Sequence, residues 1–160
     1  IASDAGAEVT GVCSTSRLAL VSSLGAAHVV DYTSEDLATL DTSYDLILQL
    51  GGRYSPRMMR RLLTPRGTLV QCYGDGNRWV GPVGGIASGA LLNVVIRNRI
   101  TSFVAREDTQ TLDELRGLIE EDRLKPVIDS ELPLDRAADA VARVKDGRPA
   151  GKVGVAISAA

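Results

Sequence analysis

The chain has 160 residues, of which 44% are hydrophobic and 24% charged, and its formal net charge is -2 at pH 7. This length and composition are typical of a globular protein with enough residues to bury a substantial core. The small negative charge offers no electrostatic basis for binding nucleic acid or an anionic membrane surface, so neither is expected as a partner.

The first half of the chain alternates short apolar runs with helical patterns. Residues 1–7 are predicted to end a helix at Gly6, and the next helix is predicted to begin at Ser16 and to end at Gly25. Strands are predicted at 8–13, 28–32, 44–52 and 67–76, and further helices at 33–40 and 55–63. The run at 44–52 is apolar on both faces, which is typical of a strand covered by helices on either side of a sheet.

The second half resumes this alternation after a glycine-rich stretch at 77–89, which is followed by an apolar helix predicted to end near residue 96. Strands are predicted at 99–105, within 125–134 and at 151–157, and helices at 109–124 and 135–147. Strands that alternate with helices of this length predict right-handed crossovers and a mostly parallel sheet. The predicted fold class is therefore α/β.

Metal, disulfide and membrane features are all expected to be absent. Cys13 and Cys72 lie on separate apolar runs and are predicted to be buried, reduced thiols. Two distant cysteines and one histidine do not supply the closely spaced ligands of a zinc site, so no metal is expected. The longest apolar stretch, 86–96, is too short to span a membrane. These features together predict a cytoplasmic protein.

The turn after the strand at 8–13 carries two hydroxyls, on Ser14 and Thr15, and a guanidinium on Arg17. In a doubly wound dinucleotide-binding sheet the end of the second strand faces the adenosine ribose, where an Asp or Glu usually binds the ribose hydroxyls. Hydroxyls and a guanidinium suit a 2′-phosphate instead, and a carboxylate would repel that group. A polar turn that caps the next helix explains the same residues equally well, so the turn alone leaves both interpretations open.

Four longer strings carry a family resemblance. They are "GAEVTGVCSTSRLALVSSLGAAHVVDYTSED" (6–36), "YDLILQLGG" (44–52), "LTPRGTLVQCYGDG" (63–76) and "LIEEDRLKPVIDSELPLDRAADAVARVKDGRPAGKVGVAI" (118–157). In combination they resemble the C-terminal half of a medium-chain dehydrogenase/reductase, in particular its zinc-free, quinone oxidoreductase-like branch. Members of that branch bind NADPH and reduce quinones, enones or related carbonyl compounds. The resemblance implies a Rossmann-like, doubly wound parallel sheet and the cofactor-binding portion of such an enzyme.

The resemblance also implies which residues meet the cofactor. Ser14, Thr15 and Arg17 would contact the 2′-phosphate of NADPH, and Tyr32 would pack beside it, although a strand-end tyrosine with a solvated hydroxyl fits that position nearly as well. The remaining cofactor contacts that it implies are Leu50, Gly51, Gly74, Phe103 and Val104. Tight turns at strand ends explain the two glycines as well as ligand approach does. No catalytic residue is assigned.

The sequence departs from the family where the cofactor's pyrophosphate should bind. The glycine-rich loop and the first strand, which is central in the usual order 3-2-1-4-5-6, are not in this chain. The strands at 8–13 and 44–50 are therefore expected to keep unpaired apolar edges, and a missing N-terminal region or a second chain is expected to cover them. Re-pairing of these two strands into a new topology is the alternative.

The domain and partner predictions follow from the same resemblance. Residues 1–125 are expected to form a partial dinucleotide-binding domain, and residues 126–160 a segment that in the family completes the substrate domain. A homodimer is expected through the strand at 99–105, with a small molecule as substrate. A non-catalytic, nucleotide-responsive or structural remnant without a substrate domain is the competing function, and it is supported by the absent glycine loop.

Overall fold

The computed structural model describes residues 1–52, 54–72, 99–102, 108–147 and 149–157. The strands within them are β1 (Thr10–Cys13), β2 (His28–Asp31), β3 (Tyr44–Gln49), β4 (Leu63–Gln71), β5 (Arg99–Ser102), β6 (Ile128–Pro133) and β7 (Lys152–Ala156). The helices are α1 (Leu18–Ser23), α2 (Pro56–Met59), α3 (Thr109–Glu120) and α4 (Ala137–Lys145). No helix in these residues is long and apolar enough to cross a membrane.

Every strand pairing in the described residues is parallel, which confirms the predicted α/β class. The described strands form three sheets. One is the pair β1-β2, one is the three-stranded sheet β3-β4-β5, and one is the pair β6-β7. The order β2-β1 and the order β3-β4-β5, each taken by itself, match consecutive strands of the doubly wound order. Within the described chain, the second edges of β1 and β3 pair with no other strand, as the sequence predicts.

The chain divides into two compact units, Ile1–Thr33 with Glu107–Ala160 and Ser34–Arg106. In the first unit, α1 packs on β1 so closely that a Cβ at Gly11 would lie 2.3 Å from Cγ1 of Val21. α4 packs on the β6–β7 pair, where Ala140 is buried. The proposed division at residue 125 remains a prediction.

The second unit is built around β4, whose Leu69 is fully buried. Gln49 and Gln71, at the ends of β3 and β4, are also buried, and Nε2 of Gln71 donates to Oε1 of Gln49 at 3.2 Å. α2 begins with Pro56 in its first turn, as predicted, and the hydroxyl of Ser55 caps it by accepting the Met58 N–H at 3.2 Å.

Two predicted helices are shorter in the structure than expected. Residues 33–40 form only a single 3-10 turn, Leu37–Thr39, since Asp31 accepts the Thr33 N–H and Asp36 accepts the Ala38 N–H. α1 begins at Leu18 rather than Ser16, after a 3-10 turn in which the Arg17 N–H donates to the Ser14 carbonyl at 2.8 Å. Ser14 is the N-cap of this 3-10 turn, and the N-cap of α1 is Arg17.

The sequence predicts helices over both faces of β3, and among the described residues one face has no such cover. Leu46 and Leu48 are 55% and 51% exposed, and Leu50, just beyond the strand, is 75% exposed. Alternate residues of a strand share one face, so these three leucines form one apolar surface, the open leucine face. A strand with apolar side chains on both faces is typically covered on both sides of the sheet, and among the described residues this face is open.

Candidate functional site

The predicted ligand-binding turn lies at the carboxyl end of the β1–β2 pair. Cys13 and Asp31 are partners in the parallel register, and the Tyr32 N–H donates to the Cys13 carbonyl at 3.1 Å. The turn after β1 and the segment after β2 therefore meet at one edge. The carboxyl edge of a parallel sheet is where such folds bind ligands.

A buried carboxylate organises this edge. Asp31 is 7% exposed, and its Oδ2 accepts the Thr15 hydroxyl at 2.5 Å. Its Oδ1 accepts the Thr33 amide at 2.9 Å and the Thr33 hydroxyl at 2.6 Å, and the two threonine hydroxyl oxygens lie 2.9 Å apart. We call these three residues the Thr15–Asp31–Thr33 cluster. The hydrogen bonds from Thr15 and Thr33 help to offset the cost of burying the charge, so the cluster holds the two segments together.

Four of the residues predicted to bind the cofactor come together here. Ser14 and Arg17 are half-buried, Thr15 is exposed, and Tyr32 is 50% exposed. The Ser14 hydroxyl lies 3.3 Å from that of Ser16. A guanidinium, serine hydroxyls and a phenol at one partly exposed edge form a donor set whose chemistry fits a phosphate group.

Leu50 and Gly51 belong to the second unit and lie beyond the end of β3. A Cβ at Gly51 would meet no heavy atom within 4 Å, so packing does not require glycine there. Gly52 is the position that requires glycine, because its φ is +80° and a Cβ added there would lie 3.0 Å from the Tyr54 ring. Nε2 of Gln49 donates to the Tyr54 carbonyl at 3.1 Å and holds this turn. The other predicted contacts, Gly74, Phe103 and Val104, lie outside the described residues.

The roles of Asp31 and Thr33 at this edge were not predicted from the sequence. An acidic residue is usual at the end of β1, whereas here the carboxylate comes from the end of the neighbouring strand, β2. The available signal was the "DYT" string directly after a predicted strand, because the carboxyl ends of adjacent parallel strands meet at one edge.

The described residues contain no group of three or more His, Cys, Asp or Glu side chains that could hold a metal ion. Cys13 and Cys72 are free, half-buried thiols. Nε2 of His28 lies 2.9 Å from Oε1 of Glu8 on the surface, which agrees with a structural role for this histidine.

Three comparisons with known proteins agree with this architecture. The family model for zinc-binding dehydrogenases matches residues 24–155. The chain is 27% identical over 154 residues to the chloroplast envelope quinone oxidoreductase homolog of Arabidopsis thaliana, covering 93% of this chain and 45% of that protein. It is 27% identical over 148 residues to the NADPH-dependent alkenal/one oxidoreductase, chloroplastic, of the same plant, covering 91% and 33%.

Among solved structures, the quinone oxidoreductase from Coxiella burnetii superposes with a TM-score of 0.81 at 22% identity. The match covers 98% of this chain and 47% of that one, which establishes the Rossmann-like fold. The chain spans less than half the length of each of these three proteins.

Proposed function

The chain belongs to the zinc-binding dehydrogenase family, and we propose that it forms the cofactor-binding portion of an NADPH-dependent oxidoreductase. It is a quinone oxidoreductase-like member of the medium-chain dehydrogenase/reductase superfamily. The proposed reaction is hydride transfer to a small quinone, enone or similar carbonyl compound. The names of the two plant relatives support this class of substrate.

The observation that carries the proposal is the edge formed by Ser14, Arg17 and Tyr32 at the carboxyl end of β1 and β2. A 2′-phosphate carries nearly two negative charges at neutral pH, by analogy with phosphorylated side chains. A guanidinium forms charge-assisted hydrogen bonds with such a group, and these are stronger than bonds between neutral partners. NADH lacks this phosphate, so the edge favours NADPH.

The proposed role of the chain is to bind and orient the cofactor. When bound, NADPH supplies the hydride, so the protein needs no acid–base side chain for that transfer. Leu50 and Gly51 would leave room for the cofactor to pass along the end of β3. Gly74, Phe103 and Val104 are proposed to border the nicotinamide.

Further polypeptide is part of the proposal. In the part of the chain that the structure describes, the open leucine face has no cover and β1 and β3 each have one edge without a strand partner. Exposed surfaces and edges of this kind pair or aggregate unless they are covered. We propose that an N-terminal region of the protein or a second chain covers them, and that the protein acts as a cytoplasmic homodimer.

Titration calorimetry of the full-length protein with NADPH and with NADH tests the cofactor, and loss of nicotinamide absorbance with a quinone or an enone tests the reaction. We expect NADPH to bind more tightly than NADH and to be oxidised only when one of these acceptors is present. Binding without oxidation by any acceptor would indicate a nucleotide-responsive module instead. No binding of either nucleotide would indicate a structural remnant.

A further inference from the structure

The hydrogen atoms of the Thr15–Asp31–Thr33 cluster can be counted. As a carboxylate, Asp31 only accepts hydrogen bonds. Each threonine hydroxyl has one hydrogen, and both hydrogens point at Asp31, at 2.5 Å from Thr15 and at 2.6 Å from Thr33. The 2.9 Å between the two hydroxyl oxygens is therefore a contact between two acceptors.

The number of hydrogens determines whether the Thr15 hydroxyl donates a hydrogen bond to a ligand or accepts one. Thr15 is exposed, and its one hydrogen is donated to Asp31, so its oxygen has only lone pairs left for a further partner. Lone pairs accept a hydrogen bond from a ribose 2′-hydroxyl, as in NADH. They oppose the oxygens of a 2′-phosphate, which are themselves acceptors, and the buried charge of Asp31 behind them adds repulsion.

We propose that Asp31 is a specificity-determining residue, which lowers the preference for NADPH over NADH by holding the Thr15 hydroxyl as an acceptor. The inference rests on the proposed nucleotide-binding function and changes one of its details. Thr15 is a ribose contact rather than a phosphate donor, and Ser14 and Arg17 carry the phosphate. The carboxyl edge of β1 and β2 would therefore bind both NADPH and NADH.

The substitution Asp31→Asn reverses this arrangement. The amide and hydroxyl of Thr33 both donate to one oxygen of Asp31, so they hold the oxygen of the new amide in place. The amide nitrogen then faces Thr15 and donates to its oxygen, and the hydrogen of Thr15 turns outward. We expect the NADPH/NADH affinity ratio to rise about tenfold, the scale of one hydrogen bond gained by a charged ligand.

Thr15→Val provides an independent test that does not depend on the folding of the Asp31 variant. It removes the hydroxyl and keeps the shape of the side chain, so NADPH affinity should stay within about twofold of the wild type. In the double variant Asp31→Asn with Thr15→Val, the tenfold gain should disappear. Ser14→Ala is the matched control, and it should lower the affinity for NADPH while leaving the affinity for NADH unchanged.

Titration calorimetry of each full-length variant with NADPH and NADH gives the ratio, and circular dichroism confirms folding. If Asp31 had a purely structural role, Asp31→Asn would lower the affinities for NADPH and NADH together and leave the ratio of the two affinities unchanged. A folded Asp31→Asn variant with the wild-type ratio overturns the inference, as does a Thr15→Val variant that loses NADPH affinity tenfold while keeping NADH. If the wild type binds neither nucleotide, the proposed function fails and this inference fails with it.

Discussion

Nε of Arg143 donates to Oδ2 of Asp129 at 2.7 Å and ties α4 to β6. Oδ1 of the same carboxylate accepts the Ala150 N–H at 2.8 Å, shortly before β7 begins. The Asp129 side chain is only 9% exposed. One carboxylate therefore joins β6, α4 and the segment that precedes β7.

The stability of this part should depend on pH through Asp129. The Arg143 guanidinium, and after it the Ala150 amide, lower the pKa of Asp129 from 3.8 to about 2. A carboxyl whose pKa is lower in the folded state stabilises the fold above its unfolded pKa, and loses this effect as the pH falls through the folded value. We expect Asp129→Asn to lower the free energy of unfolding at neutral pH, by an amount that shrinks as the pH falls from 3.8 towards about 2.

Chemical denaturation of the full-length protein across this pH range measures that difference. Asp139→Asn is the control, because Asp139 pairs with Arg136 on the surface, where its side chain is 58% exposed, and such pairs contribute little. A difference between Asp129→Asn and the wild type that stays constant down to acid pH would contradict the prediction.

Arg17→Ala should reduce the discrimination between NADPH and NADH. Loss of a charged hydrogen bond to the 2′-phosphate is expected to cost roughly tenfold to a hundredfold in NADPH affinity, with little change for NADH. Titration calorimetry with NADPH and with NADH measures the change in the two affinities. Arg116→Ala is the control, since Arg116 lies on the exposed side of α3 beside Asp113 and Glu120. If Arg17→Ala kept the wild-type preference for NADPH over NADH, Arg17 would not be part of the phosphate-binding site.

Gly11→Ala should destabilise the first unit because the new Cβ would lie 2.3 Å from Cγ1 of Val21. Overpacking of this kind costs about 1–3 kcal/mol. The double variant with Val21→Ala relieves the clash, so it should be more stable than the sum of the two single effects predicts. Gly117→Ala in α3, where a Cβ meets nothing within 4 Å, should instead stabilise by about 0.5–1 kcal/mol. Strictly additive effects of Gly11→Ala and Val21→Ala, measured by denaturant titration, would disprove the close packing.

Leu48→Cys should react slowly with a thiol reagent in the full-length protein in which Cys13 and Cys72 are replaced by serine. Within this chain the Leu48 side chain is 51% exposed, so slow labelling would report cover by further polypeptide. Thr42→Cys, on the exposed segment that precedes β3, is the control and should react quickly. Equal rates at the two positions would show that the open leucine face stays open.

Local patterns in the sequence were sufficient to predict the order of strands and helices and the parallel class. Apolar runs such as 44–49 and 67–71, separated by helical patterns, are set by nearest neighbours along the chain, so periodicity reveals them. The Ser55 cap with Pro56 was predictable for the same reason. The helix at 33–40 was wrong because Asp31 and Asp36 bind the backbone that the helix would have used.

By itself the sequence determined the α/β class, the family resemblance and the polar character of the turn at 14–17, since each of these is a property of residues close together along the chain. Only the tertiary structure decided which way the Thr15 hydrogen points. Thr15 and Asp31 are 16 residues apart, and the parallel register of β1 and β2 brings them into contact. A hydroxyl donates or accepts according to its partner, and pairing between strands supplies that partner.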